Sequence, residues 1–124
     1  MSQLKTYLIH WHPPIGNPLN PHGTASHYLG CTNKKLIERF QEHYRGQGAK
    51  ITRGAILQGR EILLVRYWNG GWSIEKAIKK RHKSKFYCPI CNPKQLSIFD
   101  PNNRKQKYLE KINREVKQNL CSKG

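Results

Sequence analysis

The spacing of apolar and polar positions divides the chain into strands and helices. Thr6-Tyr7-Leu8-Ile9-His10-Trp11 is a run of β-branched and aromatic residues that stops at His12-Pro13-Pro14, which predicts a first strand. From Pro13 to Ser26 the chain is dense in proline, glycine and asparagine and reads as a long loop. His27-Tyr28-Leu29-Gly30-Cys31 predicts a short second strand, antiparallel to the first, and turn-prone Thr32-Asn33 ends it. Thr32 or Asn33 then caps a helix in which Leu36, Ile37, Phe40 and Tyr44 recur on one face, and Gly46 and Gly48 mark its end. Glu61 to Trp68 is the strongest strand signal and stops at Asn69-Gly70-Gly71. Ser73 caps a second helix from Ile74 to about Lys85, with Ile74, Ala77 and Ile78 turned to the sheet.

Beyond that helix come Cys88-Pro89-Ile90-Cys91, a linker over 92–103, and a last helix from Arg104 to Gln118 with Tyr108, Leu109, Ile112 and Val116 on one side. Strand, strand, helix, strand, helix predicts an α+β fold: a small antiparallel three-stranded sheet flanked by helices. Residues 1–91 form the expected domain, with 104–124 as a basic helix and tail appended to it.

Composition adds a partner. The chain has 124 residues, room for one domain, with 23 Lys+Arg against 7 Asp+Glu and a net charge of +16. Self-repulsion on that scale destabilises a compact state unless a polyanion uses it, and nucleic acid is the partner expected, DNA before RNA. No apolar run reaches the roughly 18 residues of a membrane span, and Met1-Ser2-Gln3-Leu4-Lys5 leads directly into the first strand rather than into a signal peptide, so a soluble cytoplasmic protein is expected. Cys31, Cys88, Cys91 and Cys121 without a secretory signal argue for thiols or a metal site over disulfides. Monomer and dimer both stay open.

Tyr7 in the first strand, Tyr28-Leu29-Gly30 in the second, Arg39 and His43 four apart on one helix flank, Gly46-Gln47-Gly48-Ala49 after it, and Glu75 four residues before Lys79 follow one another in a recognisable order. That order resembles the GIY-YIG nuclease superfamily, over roughly Lys5 to Cys91. Two departures stand out: Lys5-Thr6-Tyr7 occupies the place of Gly-Ile-Tyr, and the loop between the two motifs is longer than usual. The pattern is closest to a small stand-alone branch in which a His precedes the second motif, as His27 does, and a Cys-Pro-x-Cys segment closes the domain.

The resemblance implies a metal-dependent endonuclease whose catalytic residues are Tyr7, Tyr28, Arg39, His43 and Glu75. Phosphodiester hydrolysis builds negative charge on phosphorus, so a guanidinium and a divalent cation aimed at the phosphate lower the barrier. Arg39 would hold the phosphate and Glu75 the Mg²⁺ or Mn²⁺, which takes only one or two carboxylates and keeps its waters. Tyr28 is expected as the base, with Tyr7 orienting the water or phosphate and His43 relaying the proton; nearby positive charge has to lower a tyrosine pKa of about 10 for that. The alternative is a nucleic-acid-binding module that keeps the fold without the chemistry, organised by a zinc knuckle.

Cys88 and Cys91 are spaced to place two thiolates on one Zn²⁺, with free or packed thiols as the other reading. His82 is the nearest third ligand, and His10, His12, His22 and His27 stand in or beside the first loop. Two basic runs barely interrupted by acidic residues, Lys79, Lys80, Arg81, Lys83 and Lys85 on the second helix and Arg104, Lys105, Lys107 and Lys111 on the last, are expected to contact phosphates.

Overall fold

The computed structural model describes residues 4–16, 24–80, 87–92 and 104–121. The sheet has the order β2-β1-β3, all antiparallel, with β1 spanning Lys5–Gly16, β2 Thr24–Thr32 and β3 Leu63–Asn69. As the middle strand β1 is covered on both faces, which is why Thr6 to Trp11 are all buried and why its sequence is nearly continuous in β-forming residues. Both strands are longer than the sequence suggests. Pro13–Gly16 and Thr24–Ser26, expected in a loop, extend the β1–β2 ladder after a register shift between His10 and Ile15, where the two prolines have no amide to donate.

Helix α1 covers Leu36–Tyr44 and α3 covers Trp72–Lys80. Neither start has the expected cap. Lys35 precedes α1 without a side-chain cap, and Thr32 Oγ1 instead accepts from the Lys34 amide at 3.0 Å, shaping the turn into the helix. Ser73 lies inside the first turn of α3. Ile74 packs on the sheet as expected, whereas Ala77 is exposed. A helix absent from the sequence reading, α2 at Lys50–Leu57, packs against α1 and β1.

The last helix, α4 at Arg104–Cys121, is a wall of the main core and not an appendage. Leu109, Ile112 and Val116 join Tyr7, Ile9 and Trp11 of β1, Leu36 and Phe40 of α1 and Leu64 of β3 in one buried cluster. At roughly 2 kcal/mol for each fully buried apolar side chain, those three from α4 together rival the roughly 5–15 kcal/mol of net stability of a whole domain. Asn113 fixes the helix on the strand: its Oδ1 accepts from the Leu64 amide at 2.8 Å and its Nδ2 donates to the Leu64 carbonyl at 2.9 Å. The opposite face of the sheet carries a smaller cluster of Leu8, Leu29 and Cys88, flanked by Val65, Trp68, Ile74 and Tyr87. Among the described residues no helix is long and apolar enough to cross a membrane.

Candidate functional site

Strand alternation sorts the polar residues of β1 and β2 between the two faces. Tyr7 pairs with Gly30 and Ile9 with Tyr28 on the main-core face, while Thr6 pairs with Cys31, Leu8 with Leu29 and His10 with His27 on the other.

On the main-core face α1 presents Arg39 and His43 to the two tyrosines. His43 continues the buried stripe of Leu36 and Phe40, so an imidazole stands where an apolar side chain would otherwise pack. It is fully satisfied there. Thr52 of α2 donates its hydroxyl proton to the Ala49 carbonyl at 2.9 Å, which leaves its oxygen to accept from His43 Nδ1 at 2.8 Å. Burial, followed by the Arg39 charge, holds His43 down to about 4, so at neutral pH the ring carries one proton. With that proton on Nδ1, Nε2 is the acceptor, and Tyr7 donates its hydroxyl proton to it at 2.7 Å. Arg39 Nε in turn donates to the Tyr7 oxygen at 3.1 Å. The result is a directed chain from Arg39 through Tyr7, His43 and Thr52 to the backbone.

Tyr28 completes the group, with its ring centroid 6.1 Å from Tyr7 and 5.2 Å from His43. Burial raises the pKa of Tyr7 well above that of an ordinary tyrosine, against the lowering effect of the Arg39 hydrogen bond. Tyr7 is 1 % exposed and meets no bulk water, whereas Tyr28 and Arg39 are half-buried and reach the surface. Arg39 also pairs with Glu42 at 3.5 Å, and the hydrogen bond from Lys34 at 3.0 Å holds the Glu42 carboxyl below the usual range. Two glycines make the close packing possible: a Cβ at Gly30 would come within 2.7 Å of the Tyr7 oxygen, and one at Gly48 would overlap the His43 ring.

Four of the five residues expected to be catalytic are thus brought together. Glu75 lies on α3, half-buried, and its charge adds to burial in raising the thiol of Cys31, a residue that strand alternation turns to the face opposite Tyr7 and Tyr28.

On the other face His10 Nδ1, His27 Nε2, Cys88 Sγ and Cys91 Sγ lie within 4.8 Å of one another and form a group able to hold a metal ion. Nitrogen to nitrogen is 3.1 Å, and the sulfur–nitrogen distances are 3.6 Å from Cys88 to His10, 3.8 Å from Cys91 to His10 and 3.5 Å from Cys91 to His27. Ser26 Oγ sits 3.1 Å from His27 Nδ1; with the ring proton on Nδ1 it accepts that N–H and leaves the Nε2 lone pair facing the group. Asn92 closes the cysteine turn with a 2.8 Å bond to the Cys88 carbonyl. Arg66 anchors the turn to β3: its guanidinium lies 4.5 Å from the Trp68 ring and 5.3 Å from the Tyr87 ring, and it donates to the Tyr87 carbonyl at 3.2 Å.

The two histidines come from cross-strand pairing of β1 and β2, and His22 lies outside the described residues. His82 lies outside the described residues, as do Arg81, Lys83, Lys85 and the side chains of Lys79 and Lys80. Arg104, Lys105, Lys107 and Lys111 are exposed along α4, as a phosphate-contacting face requires. Thr52 went unnoticed in the sequence because nothing in its neighbourhood marks a helix or a partner for His43. The chain matches no protein-family profile, no curated protein and no solved structure.

Proposed function

We propose that this chain is an endonuclease that hydrolyses nucleic-acid phosphodiester bonds, DNA in preference to RNA, at the Tyr7–Tyr28–Arg39–His43 group with Glu75 as carboxylate for Mg²⁺ or Mn²⁺. The observation that carries this reading is the directed hydrogen-bond chain, because it gives a buried phenol a neutral imidazole to receive its proton. Tyr28, the tyrosine that reaches the surface, takes the proton of the attacking water. Its own hydroxyl proton passes by way of Tyr7, whose ring lies 6.1 Å away between centroids, as the Tyr7 proton moves to His43 Nε2. Arg39 is a fixed cation for the charge that grows on the phosphoryl oxygens. Glu75 would hold the divalent ion, which would supply Lewis-acid charge to the phosphate; a single carboxylate suits an ion that keeps most of its waters.

A metal-dependent nicking assay on supercoiled plasmid tests this. Wild type should nick with Mg²⁺ or Mn²⁺, Arg39→Ala should lose about a hundredfold in rate, and Glu75→Ala should lose cleavage while keeping its affinity for DNA. Absence of nicking, or Glu75→Ala within tenfold of wild type, returns the chain to the alternative of a binding module without chemistry.

The second group supports a Zn²⁺ ion held by His10, His27, Cys88 and Cys91. A tetrahedral ion with bonds of about 2.0–2.1 Å to nitrogen and about 2.3 Å to sulfur spaces its ligand atoms about 3.3–3.8 Å apart, which the contacts above match to within a few tenths of an ångström. Two imidazoles and two thiols suit zinc and do not suit Mg²⁺, which takes oxygen. All four coordination positions are filled by protein, the arrangement of a structural ion. Metal analysis should find about one zinc per chain; zinc-free protein with Cys88 and Cys91 freely titratable rejects the site.

A further inference from the structure

Cross-strand from Tyr7 on the main-core face stands Tyr67 of β3, and its ring leads away from the tyrosine–histidine group toward the start of α4. Tyr108 of α4 meets Tyr67 edge to face, with centroids 5.8 Å apart and an interplanar angle of 63°. Two lysines from distant parts of the chain converge on the same Tyr67 ring: Lys5 Nζ at 5.7 Å and Lys105 Nζ at 5.1 Å from its centroid. Tyr108 itself is 42 % exposed although it belongs to an otherwise apolar side of its helix.

The arrangement is odd for a structural cluster. Two ammonium groups repel, and each gains only about 0.5–1 kcal/mol from an exposed ring. A tyrosine as exposed as Tyr108 adds little to the core. It suits a polyanion that also carries aromatic faces. Phosphates satisfy the lysines, and a base stacks on the open part of Tyr108 while Tyr67 braces it from behind.

We propose that this surface, Tyr67 and Tyr108 with Lys5 and Lys105 beside Tyr67, seats a single-stranded nucleic-acid segment with one unpaired base stacked on Tyr108. The lysines alone would serve duplex and single strand alike. The exposed ring discriminates, since a duplex keeps its base faces stacked on one another and only an unpaired base offers a face. That the segment lies beside the bond to be cut rests on the nuclease reading; the binding itself does not.

The experiment is fluorescence anisotropy on the full chain with a labelled oligothymidine and a duplex of the same length, without added divalent metal so that nothing is cut. Tyr108→Leu keeps an apolar contact for Tyr67 and removes the aromatic face. It should weaken single-strand binding about tenfold while changing duplex binding less than twofold, and Tyr108→Phe should stay near wild type. Lys105→Gln, an exposed change that spares the fold, should flatten the salt dependence on the single strand by about 0.7 in log K against log salt. A single-strand loss below twofold for Tyr108→Leu, equal losses on both substrates, or no single-strand binding by wild type overturns the proposal. Tyr108-dependent binding in a protein that nicks nothing sustains this surface and sinks the nuclease reading alone.

Discussion

His27 and Tyr28 are neighbours in one strand, yet they enter polar clusters of different kinds on opposite faces of the sheet. Around Tyr28 every buried donor has an acceptor: Arg39 to Tyr7, Tyr7 to His43, His43 to Thr52, Thr52 to the Ala49 carbonyl. Around His27 the four converging atoms are all suited to give lone pairs, two ring nitrogens and two sulfurs. The first cluster can therefore form from protein alone. The second is a donor set able to hold a metal ion, and burial pushes its Cys88 thiol up to about 11. One sheet thus carries a closed hydrogen-bond chain on one face and a candidate metal centre on the other.

The sharpest way to break this comparison is to remove the ion. Stripping zinc with a strong chelator, or substituting Cys88→Ser, should lower the melting temperature by about ten degrees or more, since structural zinc contributes several kcal/mol of folding energy. Tyr7→Phe, which deletes one hydroxyl from the other cluster, should cost far less stability and nearly all cleavage. Equal stability losses from the two changes would mean that the clusters do not differ in kind.

Next in size is α4. A chain ending at residue 103 lacks Leu109, Ile112 and Val116, roughly 6 kcal/mol of apolar burial from the main-core face, and should give neither a cooperative melt nor a dispersed NMR spectrum. A folded truncated protein would show that the Tyr7 face closes without its outer helix.

The smallest expected effect separates the clusters by pH. His43 is held near 4 against an ordinary 6.5. Between those values the unfolded chain binds the proton and the folded chain does not, so the His43 contribution is complete above about pH 6.5, falls as pH is lowered, and levels off below about 4. The shift corresponds to on the order of 3 kcal/mol. Denaturant melts at a series of pH values should show this slope in wild type and not in His43→Gln. Acid loss of the zinc ligands is common to both proteins and cancels in the difference. A difference independent of pH would mean that His43 is protonated in the folded state.

The fold was largely legible because its central strand is so strongly patterned. Thr6 to Trp11 announce a strand, and Leu36, Ile37, Phe40 and Tyr44 a helix, by composition and period alone. Helix α2 was not, since Gly54 and three β-branched residues, Ile51, Thr52 and Ile56, dilute its signal in eight residues. The role of α4 was hidden by its charge: the three buried side chains are set among exposed basic positions such as Arg104, Lys105, Lys107 and Lys111. The tyrosines, Arg39 and His43 could be grouped from their order in the chain. Thr52 and the His10–His27 pair could not, because their partners follow from strand register and from the placement of α2, quantities no local pattern encodes.

The Asn113 amide has a consequence for association. Sheets grow between molecules when an edge strand offers its backbone to a strand of another chain. At Leu64 both the N–H and the C=O of β3 are already taken by one side chain rooted in the core-packed α4. A second molecule approaching β3 would have to dislodge that helix before it could pair, so intermolecular sheet extension, whether as ordered dimer or as early aggregate, is steered to the β2 edge.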